Sequence, residues 1–320
     1  MPLSLARGIV TAVLERHEGL ARIEVGGNPC IAYPSLTGPV ALGDEVIVNT
    51  QARDLGLGSG GFDVLYANLT RGLGLAGGAG AHVMKLPYTP VQFAAGHAEE
   101  DSDSASSLDG MPVVCCSLHS QVAPACAALA GLRVAYVQLQ GGALPAALSD
   151  AVRALKARRL LTATATVGAC FGGDVECVTP WSALAWAKAQ GNDVAVCAIG
   201  PGIVGTGSRL GHGGTAAATA ANAASGLGAR PVVVVRASEA DPRDRHRGVS
   251  HHTQAVLDLC LGDVLVAEDS DAEGWREACE GLPLEHMGRG PDQDPAFFAA
   301  AFAAGHLARR LVSEVVSGRP

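Results

Sequence analysis

The chain is 320 residues long, which is enough for two ordinary domains, and 48% of its residues are hydrophobic, so it can bury a sizeable core. Its formal net charge of -8 shows no sign of the basic surface by which proteins bind nucleic acid. No apolar run approaches the roughly 20 residues of a membrane span, so we expect neither a nucleic-acid partner nor a membrane partner. The opening residues lack the apolar core of a signal peptide, and we predict a cytoplasmic protein with reduced cysteines.

Residues 1–97 predict a small β-rich domain. Short strands separated by turn-forming residues are expected at residues 8–14, 21–25, 30–33 and 45–49. Closely spaced short strands are typical of a small barrel or meander. Two glycine-rich stretches follow, at residues 56–61 and 72–80. Residues 98–110 are rich in Glu, Asp and Ser and predict a linker.

Residues 111–320 predict a Rossmann-like α/β domain with a mostly parallel sheet. Buried apolar runs predict strands at residues 112–116, 133–139, 161–167, 193–199 and 231–236. Helical patterns alternate with them at residues 121–130, 146–159, 181–190, 215–227 and 250–261, and a last amphipathic helix is expected at residues 295–317. This alternation is typical of βαβ units. Ligands bind beyond the carboxyl ends of the strands in such a sheet, so we expect the site in the loops there.

The loop after the fourth predicted strand is rich in glycine and precedes a helix. Gly202, Gly205, Thr206 and Gly207 would offer backbone N–H groups to an anion or another polar ligand. The spacing is not the dinucleotide-binding fingerprint, and no Gly-Lys-Ser/Thr sequence of a Walker loop follows. Tight-turn geometry without a ligand is the alternative interpretation.

The loop after the fifth predicted strand, residues 241–253, is the most unusual segment. It holds three Arg, three His and two Asp within 13 residues, which is not the composition of a buried core. Arg243, Arg245 and Arg247 could clamp a phosphate or carboxylate, because guanidinium groups match the geometry of these anions. A solvated, salt-bridged loop is the alternative.

The same loop could instead hold a divalent metal ion, with His251, His252 and Asp241 as ligands. Side chains of adjacent residues point about 100° apart on a helix, which makes one ion shared by His251 and His252 awkward. No HExxH or His-x-His sequence supports the metal hypothesis. We therefore favour the anion clamp over the metal.

Four residues are candidates for proton transfer or for orienting the group that transfers the proton. His119 and Asp174 follow the first and the third predicted strand, and His246 and His251 lie in the charged loop. Imidazoles would move protons, with Asp174 or Asp241 as the orienting carboxylate.

Over nearly its whole length the chain resembles a bacterial family of proteins of unknown function, DUF3866. The matching segments are residues 43–44, 49–50, 55–61, 84–90, 118–120, 171–174, 200–207 and 241–253. The family brings no activity, substrate or cofactor that could be transferred. The resemblance implies only that these loops form one site that defines the family.

Three functional hypotheses follow. The first is an enzyme that acts on a small anionic metabolite bearing phosphate or carboxylate, with a metal-assisted hydrolase as a variant; its cofactor is unknown. The second is a non-catalytic protein that binds a nucleotide or another metabolite. The third is a structural or assembly protein with no active site, and a homo-oligomer is compatible with each hypothesis. Because Rossmann-like sheets carry many unrelated functions, the fold does not decide among them.

Overall fold

The computed structural model describes residues 2–56, 61–77, 80–101 and 104–317. Parts of both glycine-rich stretches and of the predicted linker, at residues 57–60, 78–79 and 102–103, lie outside the described residues. The chain divides into two compact units, Met1–Ala95 and Gly96–Pro320. Among the described residues, no helix combines the length and the apolar character needed to cross a lipid bilayer.

The first unit is a closed five-stranded barrel with a short hairpin. Its strands are β1 (Leu5–His17), β2 (Leu20–Val25), β3 (Asn28–Ala32), β4 (Glu45–Asn49), β5 (Asp63–Asn68), β6 (Val83–Lys85) and β7 (Phe93–Ala95). Two helical turns are α1 (Pro34–Thr37) and α2 (Gln51–Asp54). The barrel order is β1-β2-β3-β5-β4, and β4 pairs back to β1. The predicted barrel-like domain is confirmed.

The barrel closes because its long first strand bends. The register of β1 against β2 shifts between Val10 and Ala12 and again between Val13 and Glu15, and such irregularities increase the local twist and bend of a strand. Alternate residues of β4, Val46 and Val48, fill the interior. The closing strand β5 was not predicted, since its polar end residues leave only a short apolar run.

The second unit alternates strands and helices. Its strands are β8 (Pro112–Cys116), β9 (Val134–Leu139), β10 (Ala163–Val167), β11 (Val175–Cys177), β12 (Val194–Ile199), β13 (Arg230–Val233), β14 (Ala237–Ser238) and β15 (Gly248–Val249). Its helices are α3 (Ala98–Asp101), α4 (Val122–Ala128), α5 (Asp150–Ala157), α6 (Pro180–Ala189), α7 (Ala216–Gly226), α8 (His251–Leu259), α9 (Trp275–Ala278) and α10 (Pro295–Ser317).

Six of these strands form a parallel sheet in the order β11-β10-β9-β12-β8-β13. Helices α4, α5 and α10 share a hydrophobic core on one face of the sheet, and α6, α7 and α8 share a core on the other. The sheet is therefore wound in both directions, and the predicted Rossmann-like α/β fold is confirmed. The second unit begins at Gly96, so residues 98–101 and 104–110 of the expected linker lie within it. There α3 packs near α6 and Leu108 is fully buried.

Candidate functional site

Neighbouring strands β9 and β12 send their connections to opposite faces of the sheet, through α5 and α7. A crevice at such a point is the usual ligand site of this architecture. Here glycine backbones fill it: a methyl group on Gly213 would lie 1.9 Å from the oxygen of Gly141, and one on Gly142 would lie 2.1 Å from the oxygen of Gly200. Side chains have no room at these glycines, and the candidate site residues lie instead beyond β8, β12 and β13.

The glycine loop after β12 folds into a hairpin. Gly205 and His212 pair as an isolated antiparallel bridge, and the N–H of Thr206 donates to the oxygen of Gly211 at 2.7 Å. The side chain of Thr206 also bonds within the hairpin, to Gly211 and Ser208. The hairpin borders an open hollow of about 340 Å³. The turn of the hairpin is exposed, and His212 at its end is buried.

Four imidazoles, His212, His246, His251 and His252, form what we call the histidine cluster. The ring of His212 stacks on that of His252 with 3.6 Å between centroids. The centroids of His251 and His252 are 4.5 Å apart, and His246 lies 4.8 Å from each of them. Sequence analysis missed His212, although its position between glycines, which permit close backbone approach, was a usable signal.

The two adjacent histidines meet because they begin α8. Ser250 caps this helix by accepting a hydrogen bond from the N–H of His252 at 3.2 Å, and its hydroxyl also bonds Nδ1 of His246 at 2.7 Å. In the first turn no preceding turn restricts the side-chain rotamers, so both rings can fold toward one space. The two rings thus come within 4.5 Å of each other although adjacent helix positions point about 100° apart.

Arg236 is the largest fully buried side chain among the described residues, at 1% exposure, and it follows the carboxyl end of β13. Pairing of β14 with β15 brings it beside the start of α8, where the N–H of Ser250 donates to the oxygen of Arg236. Its Nη1 donates to Nδ1 of His252 at 3.0 Å, and its Nε is buried without a partner. Sequence analysis took it as the end of an apolar strand and missed it as a site residue.

Asp241 is fully buried among guanidinium groups. Arg243 binds it through two hydrogen bonds, of 2.9 and 2.8 Å, and Arg236 and Arg289 each lie 3.4 Å from its Oδ2. Hydrogen bonding by Arg243 is the main reason that the pKa of Asp241 lies well below its usual value. The structure thus places Asp241 as an arginine partner. His246, predicted as a proton-transfer candidate, is the residue that lies with His251 and His252.

The three arginines of the predicted clamp have different surroundings. Arg243 is held by Asp241, and Arg247 lies 3.5 Å from exposed Asp244. Arg245 is exposed, and its guanidinium carbon lies 3.7 Å from the point where a Cβ on Gly207 would be. Within the described part of the chain, Arg245 has no carboxylate at ion-pair distance. It is therefore the guanidinium that remains available to a ligand, next to the glycine hairpin.

The imidazoles of the cluster are uncharged at neutral pH. Burial is the largest cause, and neighbouring imidazoles and guanidiniums add to it; together they lower the pKa of His252 to about 2 and of His246 to about 3. The pKa values of His212 and His251 are lowered for the same reasons. Burial also lowers the pKa of Arg236 to about 10, which leaves it protonated. The positive charge of the site thus resides on guanidiniums.

His119 does not join this cluster in any ring contact among the described residues. Its Nδ1 donates to the oxygen of Ile199 at 3.1 Å, and its Nε2 accepts from the hydroxyl of Ser149 at 2.6 Å. Both ring nitrogens are therefore engaged, and burial lowers the pKa of His119 to about 4. These contacts hold His119 between the end of β12 and the start of α5, apart from the histidine cluster.

Asp174 lies just before the edge strand β11, at the amino ends of the strands and not at the carboxyl ends where the histidine cluster lies. The chain after β10 turns back, so that Val175 pairs with Ala165 and Asp174 reaches Thr164 near the amino end of β10. Its other oxygen accepts from Lys156 at 2.6 Å. Although burial alone would raise it, the hydrogen bonds from Lys156 and Thr164 hold the pKa of Asp174 below its usual value. Asp174 therefore cannot orient the histidine cluster.

Comparison with known protein families identifies one family whose model matches this chain. The model of a family described as a protein of unknown function, DUF3866, matches residues 29–273, well over half of the 320 residues. The matched region includes the glycine hairpin, the buried arginine and the entire histidine cluster. A search of curated proteins gives no match. The chain therefore belongs to the DUF3866 family.

Proposed function

We propose that the protein is a cytoplasmic enzyme that acts on a small anionic metabolite bearing phosphate or carboxylate. The metabolite binds between Arg245, Gly207 and the histidine cluster. The observation that carries this proposal is unbalanced charge at the site. Among the described residues, Arg236, Arg243 and Arg289 share the two carboxylates of Asp241 and Asp294. Arg245, which lies near enough to Arg236 to lower its pKa, has no carboxylate at ion-pair distance there. An anion would balance this charge, and guanidinium groups bind phosphate and carboxylate through paired hydrogen bonds.

The histidine cluster supports an enzyme over a simple binding protein. Neutral imidazoles contribute little attraction for an anion compared with guanidiniums. They are, however, the groups from which enzymes most often build proton-transfer and metal sites. His251 is half-buried and its Nε2 has no hydrogen-bond partner. A reactive group therefore lies beside the proposed anion position.

Calorimetric titration of the metal-free protein with inorganic phosphate, sulfate and malonate tests the anion site. Arg245→Gln should weaken binding of the preferred probe by about tenfold or more, because a hydrogen bond to a charged group contributes roughly 1.5–3 kcal/mol. Arg247→Gln is the matched control, since this exposed arginine of the same loop already lies near Asp244. Equal losses in the two variants, or no binding of any probe, would contradict the site.

Turnover of a panel of small phosphate esters and carboxylate esters tests the enzymatic part. His251→Gln should reduce turnover by about a hundredfold or more, the contribution typical of a positioned reactive group, while phosphate affinity changes little. Anion binding without turnover of any panel member would replace the enzyme by a metabolite-binding protein.

A further inference from the structure

We propose that His246, His251 and His252 together bind one divalent transition-metal ion. One ring nitrogen of each histidine lies within 4.8 Å of those of the other two. Nitrogens about 2.0–2.1 Å from a tetrahedral zinc ion are about 3.4 Å apart, so the rings need to shift by less than about 1 Å each. The position of the ion beside an anion rests on the function proposed above, whereas the ion site itself does not.

Two of these rings have a nitrogen that suits metal binding. A metal-binding imidazole uses one nitrogen for the ion and donates from the other, which fixes its tautomer and orientation. His246 can donate from Nδ1 to the hydroxyl of Ser250 at 2.7 Å, which leaves the lone pair on Nε2. The buried Nε2 of His251 has no hydrogen-bond partner, which is costly for a polar atom unless a ligand supplies one.

The third ring brings competition. Nδ1 of His252 accepts a hydrogen bond from Arg236, so an ion bound at that nitrogen must displace the guanidinium. Arg236 would keep its contact with Asp241. The nearby positive charge also opposes a second cation. We therefore expect modest affinity for the ion alone.

An anion at the proposed arginine site would change this balance. It would offset the charge of both the ion and the guanidiniums, so each ligand should strengthen the binding of the other by the same factor. His212 stacks face to face on His252 and lies outside the group of close nitrogens. Three protein ligands leave a coordination position for water or for the anion, as in catalytic zinc sites.

The ligand chemistry selects the ion. Imidazole nitrogen suits zinc, cobalt, nickel, copper and iron, whereas magnesium and calcium prefer oxygen ligands. With an open coordination position, such an ion would polarise a bound phosphate or carboxylate oxygen. The ion would therefore act directly on the class of metabolite proposed above.

The test is titration of untagged, metal-free protein with Co²⁺, followed by visible absorption and calorimetry, with and without sulfate. We expect one equivalent to bind, at least tenfold more tightly in sulfate. His251→Gln and, as a second variant, His246→Gln should abolish binding. His17→Gln is the matched control because this exposed histidine lies on the barrel, and it should bind normally. Circular dichroism of both cluster variants establishes that they are folded.

Two failures are distinguishable. Absence of Co²⁺ binding in sulfate, or binding unchanged in both folded cluster variants, overturns the metal site. The anion site survives that result if Arg245→Gln still weakens sulfate binding to the metal-free protein. Tight Co²⁺ binding that sulfate leaves unchanged removes the coupling to the anion, and with it the proposed position beside the metabolite.

Discussion

The two ring nitrogens of His119 connect the end of β12 to the first turn of α5. One bonds the oxygen of Ile199, and the other bonds the hydroxyl of Ser149, which also caps α5 by accepting from Val152. A neutral imidazole can make both bonds, donating from Nδ1 and accepting at Nε2. A second proton, on Nε2, would point at the Ser149 hydroxyl oxygen, which already accepts a hydrogen bond from Val152. The sequence predicts His119 and His251 as equivalent catalytic candidates. The structure distinguishes them, because both ring nitrogens of His119 are hydrogen-bonded whereas Nε2 of His251 has no partner.

Stability should fall as the pH falls below about 6.5. An unfolded chain binds a proton to His119 near its ordinary pKa of 6.5, whereas the folded protein does so only near 4. The unfolded state then binds more protons, so the free energy of unfolding decreases as the pH is lowered. Between pH 7.5 and 5.5 this one residue should account for about 1.4 kcal/mol.

Denaturant titrations at pH 7.5, 6.5 and 5.5 measure this effect. The decrease in the free energy of unfolding between pH 7.5 and 5.5 should be smaller in His119→Asn by about that amount. The buried histidines His246, His252 and His286, whose pKa values are also lowered, act in the same direction in the parent protein. Stability that stays constant or rises on acidification would show that these imidazoles are charged in the folded state.

Helix α10 packs on α4 with almost no space between the two backbones. A methyl group on Gly305 would lie 2.2 Å from the oxygen of Ala125 and 2.9 Å from Cβ of Ala128. Phe297 and Phe298, at the start of α10, are fully buried. Helix α10 was predicted with the bounds that it has, but its hydrophobic pattern does not reveal that a glycine makes the closest contact.

Gly305→Ala should therefore destabilise the protein despite the better helix propensity of alanine. Propensity favours alanine by about 1 kcal/mol, and the overlap with backbone costs about 1–3 kcal/mol or more. Gly226→Ala provides a control of opposite sign, because a methyl group there meets only Nε1 of Trp181, at 3.9 Å. Thermal unfolding should show a lower midpoint for the first variant and an equal or higher one for the second.

Element prediction succeeded where apolar runs and capping residues agree. The five long parallel strands and their helices lie within a few residues of the predicted bounds. The predicted helix at residues 146–159 begins later, since Ser149 caps a separate helix at Asp150 and Ala146–Leu148 forms a 3-10 turn. Strand β11 was missed because three residues at a sheet edge carry too little pattern to recognise.

The arrangement of the whole sheet could not be read from sequence. The chain places β12 between β8 and β9, a choice that depends on packing between distant segments. That order decides that the hairpin of His212 reaches α8 while Asp174 lies at the far edge. The loops that form the site were predicted, but the partners of Asp241 and the burial of Arg236 depend on tertiary contacts. Patterns along one chain do not contain this information.

The glycine contacts between the loops after β9 and β12 also have a consequence for motion. Three backbone hydrogen bonds join the two loops and the hairpin: Ala143 to Pro201, Val204 to Gly141, and Gly213 to Val204. Opening either loop would break these bonds, so we expect the two loops to fluctuate as one cooperative unit. In hydrogen–deuterium exchange, the amides of these three donors should exchange slowly and at a common rate. A ligand that orders His212, in the loop after β12, should then also slow the exchange of the amide of Ala143, in the loop after β9.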